Sequence, residues 1–244
     1  MARQRGAAVV IREVARRKGL GWPSIVLMAL AYGVFEEGIM TMSLFNPDYA
    51  GQRLLDPGYV PALGIGVPWT LFVLALHTVW SMSVPIAVME ELAGERRTTP
   101  WLGRIGLGAA AVLAVLGAAS TTLFSYQNGH FLASVPQLAS IVVIVVLLVV
   151  AAFRLPGASR ATERTTGPAP SPWLVLGAAL VAGLVFELQT VIEDLPVWLT
   201  IAALAAAEAG IGWPALTWSA REGWAGGHRM ALPAVALQRA KSNV

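Results

Sequence analysis

Two adjacent carboxylates, Glu36 and Glu37, stand inside the apolar stretch AYGVFEEGIMTMSLFNP that runs from Ala31 to Pro47. Charge at membrane depth is costly and persists where it faces the protein interior, has a partner or carries a proton, so such residues are candidates for function. His77 in the next apolar stretch and Glu187 in a later one complete the set of candidate site residues. A glutamate beside a histidine can act as general base on a water, with a second carboxylate and the imidazole orienting it or steadying an oxyanion, with or without a metal. The same groups can instead take up and release protons or coordinate a cation along a transport path. The spacing leaves enzyme and transporter both open and specifies no cofactor. There is no HExxH, Walker loop, GxSxG or dinucleotide fingerprint.

A packing role stands beside both readings. A single histidine in a membrane helix often serves as an interhelical hydrogen-bond partner, and a non-catalytic subunit would use polar faces in this way. Consecutive residues on a helix point about 100° apart, so one clamp does not readily explain both Glu36 and Glu37. Glu208, close to Gly210, Gly212 and Pro214, reads as a kink stabiliser or part of a path, because those residues are expected to bend or break their helix.

Positioning these groups requires helices that cross a bilayer. With 56% hydrophobic residues, 13% charged residues and mean hydropathy +0.65, the 244-residue chain is an all-α polytopic membrane bundle without a soluble domain. Six spans of roughly 20 residues are expected: Trp22 to Phe45, Val67 to Met89, Ile105 to Phe124, Phe131 to Phe153, Trp173 to Ile192 and Leu195 to Trp218. At ~1.5 Å per residue, Glu36 and Glu37 lie roughly 12 Å below the outer surface, Glu187 roughly 8 Å and His77 near the midplane. Glu187 then shares one outward-opening pocket with the other three, and Gln127 and His130 cap it. Glu37 shares its helix face with Ala29, Gly33 and Thr41, a stripe of small residues suited to a close helix contact, and His77 lies with Thr70 and Ser81.

Sixteen of the seventeen arginines and lysines fall in alternate connections, with only Arg53 on the other side, which places both termini in the cytoplasm of a bacterial plasma membrane. The net charge of +3 is therefore topological and implies no nucleic-acid partner. Residues 1–20 read as a basic amphipathic helix on the membrane surface, 21–220 as the membrane domain and 221–244 as a cytoplasmic tail. A second reading makes residues 1–20 the tail end of a further membrane helix. Trp22, Trp69, Trp101, Trp173, Trp198 and Trp218 lie near span ends as interfacial anchors. The series Ala110, Ala114, Ala118 and Ala202, Ala206, Gly210 offer small faces for tight helix contacts, a homo-oligomer or a membrane partner. Asn46-Pro47-Asp48-Tyr49 and Asp56-Pro57-Gly58-Tyr59 signal turns in a structured outer cap. The absence of cysteine excludes disulfides and thiolate sites.

The Glu36-Glu37 pair followed by His77 on the next span resembles the first parts of the CAAX-protease and bacteriocin-processing membrane endopeptidases. That resemblance implies a glutamate-dependent intramembrane hydrolase. The chain departs from the family pattern at Thr41, where an arginine would fall, at Val73, where a phenylalanine would fall, and in lacking a second histidine on a later span. Over its whole length, through IREVARRKGLGWPS, AYGVFEEG, SLFNPDY and LHTVWSMSVPIA, it is more similar to a group of uncharacterised polytopic proteins of GC-rich Gram-positive bacteria. Its fifteen arginines against two lysines fit such a genome.

Overall fold

The computed structural model describes residues 2–155, 167–192, 195–219 and 221–233. Arg160, Arg164 and the part of the expected tail that carries Arg239 and Lys241 lie outside the described residues. The described chain is an all-helical bundle: α1 (Ala2–Arg17), α2 (Trp22–Met40), α3 (Val67–Leu92), α4 (Arg104–Gly129), α5 (Val135–Arg154), α6 (Pro172–Val191), α7 (Val197–Trp218) and the short α8 (Gly226–Ala231). Four of these, α2 to α5, are long and apolar enough to cross a membrane, and α6 and α7 are apolar over Pro172–Leu188 and Val197–Trp213.

The outermost helix is apolar towards the outside. Val112, Leu113, Val115, Leu116, Leu123 and Phe124 of α4 are all exposed, which inverts the pattern of a water-soluble bundle and suits hydrocarbon. By contrast α2 is central and largely buried, packed on α5 and on the middle of α3. Small residues let it sit there. A Cβ added to Gly38 would stand 2.5 Å from the Ile141 side chain of α5, and one added to Gly33 would stand 3.1 Å from His77 Cβ.

Chain direction alternates along the bundle, which gives it two unlike ends. One carries a two-residue antiparallel hairpin, Tyr59–Val60 against Ile65–Gly66, and Asn46 Oδ1 there accepts from the Asp48 N–H, so the expected turn-rich cap is present. The other end gathers the described basic side chains from Arg12 onward, except Arg53. From that end α1 runs back along α4, with Gly6 against Ala110 and Ala114, so part of the small series on α4 receives α1.

Several helix ends shift by a few residues, and two departures from expectation are larger in consequence. The helix that starts at Trp22 ends at Met40 rather than Phe45, because the chain folds back on itself, with Met42 in the left-handed region at φ 56° and residues 41–46 all buried. The helix that starts at Val197 is unbroken through Gly210, Gly212 and Pro214. Its Leu204 and Ala207 pack with Ala75 and Phe186, and that burial outweighs the single hydrogen bond a proline withholds.

Candidate functional site: a Glu–His–Glu cluster

Both helices that meet at the site depart from α geometry there. The turn Glu36–Met40 is a π turn closed by the Thr41 N–H on Glu36 O at 2.9 Å, and α3 is π-helical from Leu76 to Ser83. In α3 the cause is local. Pro85 lies two residues beyond Ser83, and a proline cannot donate to the carbonyl four residues back and crowds it, so widening the preceding turn accommodates it. Wider turns also reduce the angle between neighbouring side chains, which brings Glu36 and Glu37 towards one side of α2. Extra residues of this kind inside helices are frequent at functional sites.

The imidazole of His77 lies between the two carboxylates. Its Nε2 is 2.8 Å from Glu37 Oε1 and its Nδ1 is 3.1 Å from Glu36 Oε2. One histidine thus engages both glutamates, contrary to the expectation that a single clamp would not serve the pair. An imidazole has acceptor or donor positions on two edges, and the π turn turns both carboxylates to meet them. All three side chains are buried, with residue exposures of 1% for Glu36, 5% for Glu37 and 6% for His77. Their ligand atoms lie within 4.8 Å of one another, the one group of this kind among the described residues.

The folded-back chain after Met40 completes the surroundings of Glu37. Its Oε2 receives the hydroxyl of Ser43 and lies 3.0 Å from Thr41 Oγ1. Trp69 Nε1 in turn donates to Ser43 Oγ at 3.2 Å, and Ser125 of α4 donates to Thr41 O at 2.9 Å, so four segments hold this corner. Trp69 is therefore a member of the polar chain and not simply an interfacial anchor. The Gly33 stripe is occupied as its small residues suggest, since it admits the His77 backbone close to α2.

Glu187 lies half-buried on α6, outside the group of three. Its neighbour Phe186 faces inward instead, stacked on Phe72 and Trp80, so the aromatic contact sets how α6 meets α3. His130 is exposed at the left-handed end of α4 with its ring edge-on to Tyr126, and Gln127 is exposed as well, so neither covers the cluster. Thr70 donates to the carbonyl of Gly66, the residue that caps its own helix, rather than extending a stripe from His77. Ser43 and Trp69 are the members that the sequence reading missed; a serine three residues before a turn signal was the available hint.

A second buried polar cluster closes the opposite end and was not anticipated. Arg16 makes a bidentate pair with Glu90, with Nε and Nη2 each 2.6 Å from a carboxylate oxygen, and Arg12 Nε reaches Glu90 Oε1 at 3.1 Å. Arg12 also pairs with Glu13 at 2.7 Å and lies 3.4 Å above the Trp101 ring. Burial alone would push the Glu13 carboxyl up, but the N–H groups of Trp101 and Leu102 and the Arg12 guanidinium outweigh it and hold that carboxyl below its ordinary range. Next door, Glu91 takes both Nε and Nη2 of Arg229 from α8.

The uncharacterised membrane protein family matches residues 6–220 of the chain. No curated protein and no solved structure matches it.

Proposed function

As the chain belongs to this family of membrane proteins, we propose that it is a six-span plasma-membrane protein, both termini cytoplasmic, in which Glu36, His77 and Glu37 bind and pass a proton during proton- or cation-coupled transport. The observation that carries the reading is that each ring nitrogen of His77 faces a different carboxylate. Glu37 already accepts from two hydroxyls, so the Nε2 proton points to it. Nδ1 and Glu36 Oε2 would then be two bare acceptors 3.1 Å apart unless a proton lies between them. That proton belongs either to the imidazolium or to the Glu36 carboxyl, and the two forms differ only by which of these two atoms, 3.1 Å apart, holds it.

One transfer through the ring moves only protons, and the ring must then rotate before it carries a second proton the same way. A proton arriving on Glu36 passes to Nδ1 while the Nε2 proton passes to Glu37, and the imidazole ends neutral as the other tautomer. Histidine suits this because its ordinary titration falls between pH 5 and 8. Hydrolysis would ask Glu37 to hold a water, yet its oxygens face His77, Thr41 and Ser43. The enclosed geometry supports proton transfer more directly than general-base attack on a bound substrate.

Proteoliposomes loaded with a pH-sensitive dye test the reading. Full-length protein should dissipate an imposed pH gradient at a rate that Glu36→Gln and His77→Gln each abolish in folded protein. Cleavage of a peptide or acyl substrate lost on Glu37→Gln, without gradient-dependent flux in the parent, would instead establish the hydrolase.

A further inference from the structure

At the end opposite the Glu–His–Glu cluster, four cations are presented outward on a rigid backbone. Lys18, Arg96, Arg97 and Arg104 are exposed, and no hydrogen bond or ion pair engages their side chains among the described residues. Their main chain is tied down. Arg12 donates to Arg97 O at 2.8 Å and to Arg96 O at 3.4 Å, Trp101 Nε1 donates to Arg96 O at 2.8 Å, and Arg17 donates to Leu102 O. These bonds join the end of α1, the 3-10 turn Gly94–Thr98 and the approach to α4 into one corner. Of the nearby acids, Glu13 and Glu90 are buried and committed to Arg12 and Arg16, half-buried Glu91 is paired with Arg229 and also attracts Arg97, and exposed Glu95 is the acidic side chain of that turn.

The corner is also where apolar surface begins. Leu92 is 73% exposed just before the turn and Ile105 is 90% exposed just after Arg104. Cations bordering exposed aliphatic side chains match a molecule with an anionic head and a hydrocarbon tail, and each Lys or Arg near an anionic membrane surface is worth about 1 kcal/mol. We propose that this corner binds the headgroup of an anionic phospholipid, its phosphate on Arg96, Arg97 and Arg104 and its acyl chain beside Ile105. A phosphatidylcholine offers the same phosphate but adds a quaternary ammonium that four clustered cations repel, so selection acts on net charge.

The site is independent of the proton reading and is tested apart from it. The full chain, exchanged into mixed micelles of phosphatidylglycerol and phosphatidylcholine, is examined for retained lipid by native mass spectrometry. Phosphatidylglycerol should be retained preferentially, and Arg96→Gln/Arg97→Gln/Arg104→Gln should lower that preference by roughly fivefold per charge removed. Arg53→Gln, at the opposite end, should leave it unchanged. Equal retention of the two lipids, or unchanged preference in the triple variant, would overturn the proposal. Full displacement by millimolar inorganic phosphate would assign the corner to a free anion instead.

Discussion

Glu36-Glu37 and Glu90-Glu91 are the same dipeptide near opposite ends of the bundle, and the protein answers them with different bases. Glu90 meets Arg12 and Arg16, and Glu91 meets Arg229. Glu36 and Glu37 share one histidine and two hydroxyls, with no arginine in the cluster. Arginine stays charged at any physiological pH, so the first arrangement has one protonation state and works as a clasp. Histidine does not, so the second can exchange a proton while its partners stay in place. α3 carries both: His77 in its π-helical middle and Glu90 and Glu91 in its last turn.

The clasp should be the more fragile half on mutation. Glu90→Gln leaves Arg16 buried without its countercharge and Arg12 with Glu13 alone, and breaking a buried pair in this way typically costs about 3–5 kcal/mol. Thermal unfolding in detergent should show a larger drop than Glu13→Gln, Gly38→Ala or Glu36→Gln. A wild-type melting profile would mean that α1 is not held through Glu90.

Acid should loosen the same clasp from its other side. The Glu13 carboxyl is held below its ordinary range in the folded protein, so its bonds to Arg12, Trp101 and Leu102 contribute stability that is fully present above the ordinary glutamate pKa. The contribution is lost as pH falls through the lower folded-state value. Protection factors of α1 amides against hydrogen exchange should therefore fall below about pH 4.3, and in Glu13→Gln they should already be low at pH 7.

Packing around the proton cluster should respond by less. Gly38→Ala drives a methyl to within 2.5 Å of Ile141, and overpacking of this kind costs about 1–3 kcal/mol. Combining it with Ile141→Ala should recover part of the loss. No recovery would place the strain in the π turn rather than at the α2–α5 contact.

The sequence made the membrane class and the meeting of α2 with α3 readable, for physical reasons that these two regions illustrate. Apolar runs such as IVVIVVLLVV record helices directly, and Gly33 four residues before Glu37 marks the face where another backbone approaches. The clasp was hidden because Arg12 and Arg16 lie on an amphipathic segment whose charges pattern alone assigns to water or lipid. Only the fold brings Glu90 to them from 74 and 78 residues away. Neither π turn follows from periodicity, and Ser43 became a partner of Glu37 because the helix stops five residues early. Glu187 was grouped with the others by depth, but depth does not say which way a helix faces. Proline and glycine likewise overstated the break expected near Gly210, where burial of Leu204 and Ala207 keeps α7 whole.

The smallest stability change should come from the residue whose loss matters most to the proposed function. In the cluster two carboxylates share one imidazole, so at least one proton is already needed to make the 3.1 Å contact between Nδ1 and Glu36 Oε2 favourable. Glu36→Gln keeps the shape, and its amide N–H can donate to Nδ1, which leaves Nε2–H on Glu37 and a neutral ring. One buried carboxyl is replaced by an amide that satisfies the same neighbour, so stability should stay within about 1 kcal/mol of the parent, the scale of one hydrogen bond. Set beside Glu90→Gln, this is the sharpest form of the comparison: the same substitution, in the same dipeptide, severe where Arg16 loses its countercharge and mild where histidine can adjust. Melting curves of the two variants decide it. A loss at Glu36 as large as at Glu90 would show a fixed charge balanced by imidazolium, and the Glu–His–Glu cluster would then be a second clasp and no proton carrier.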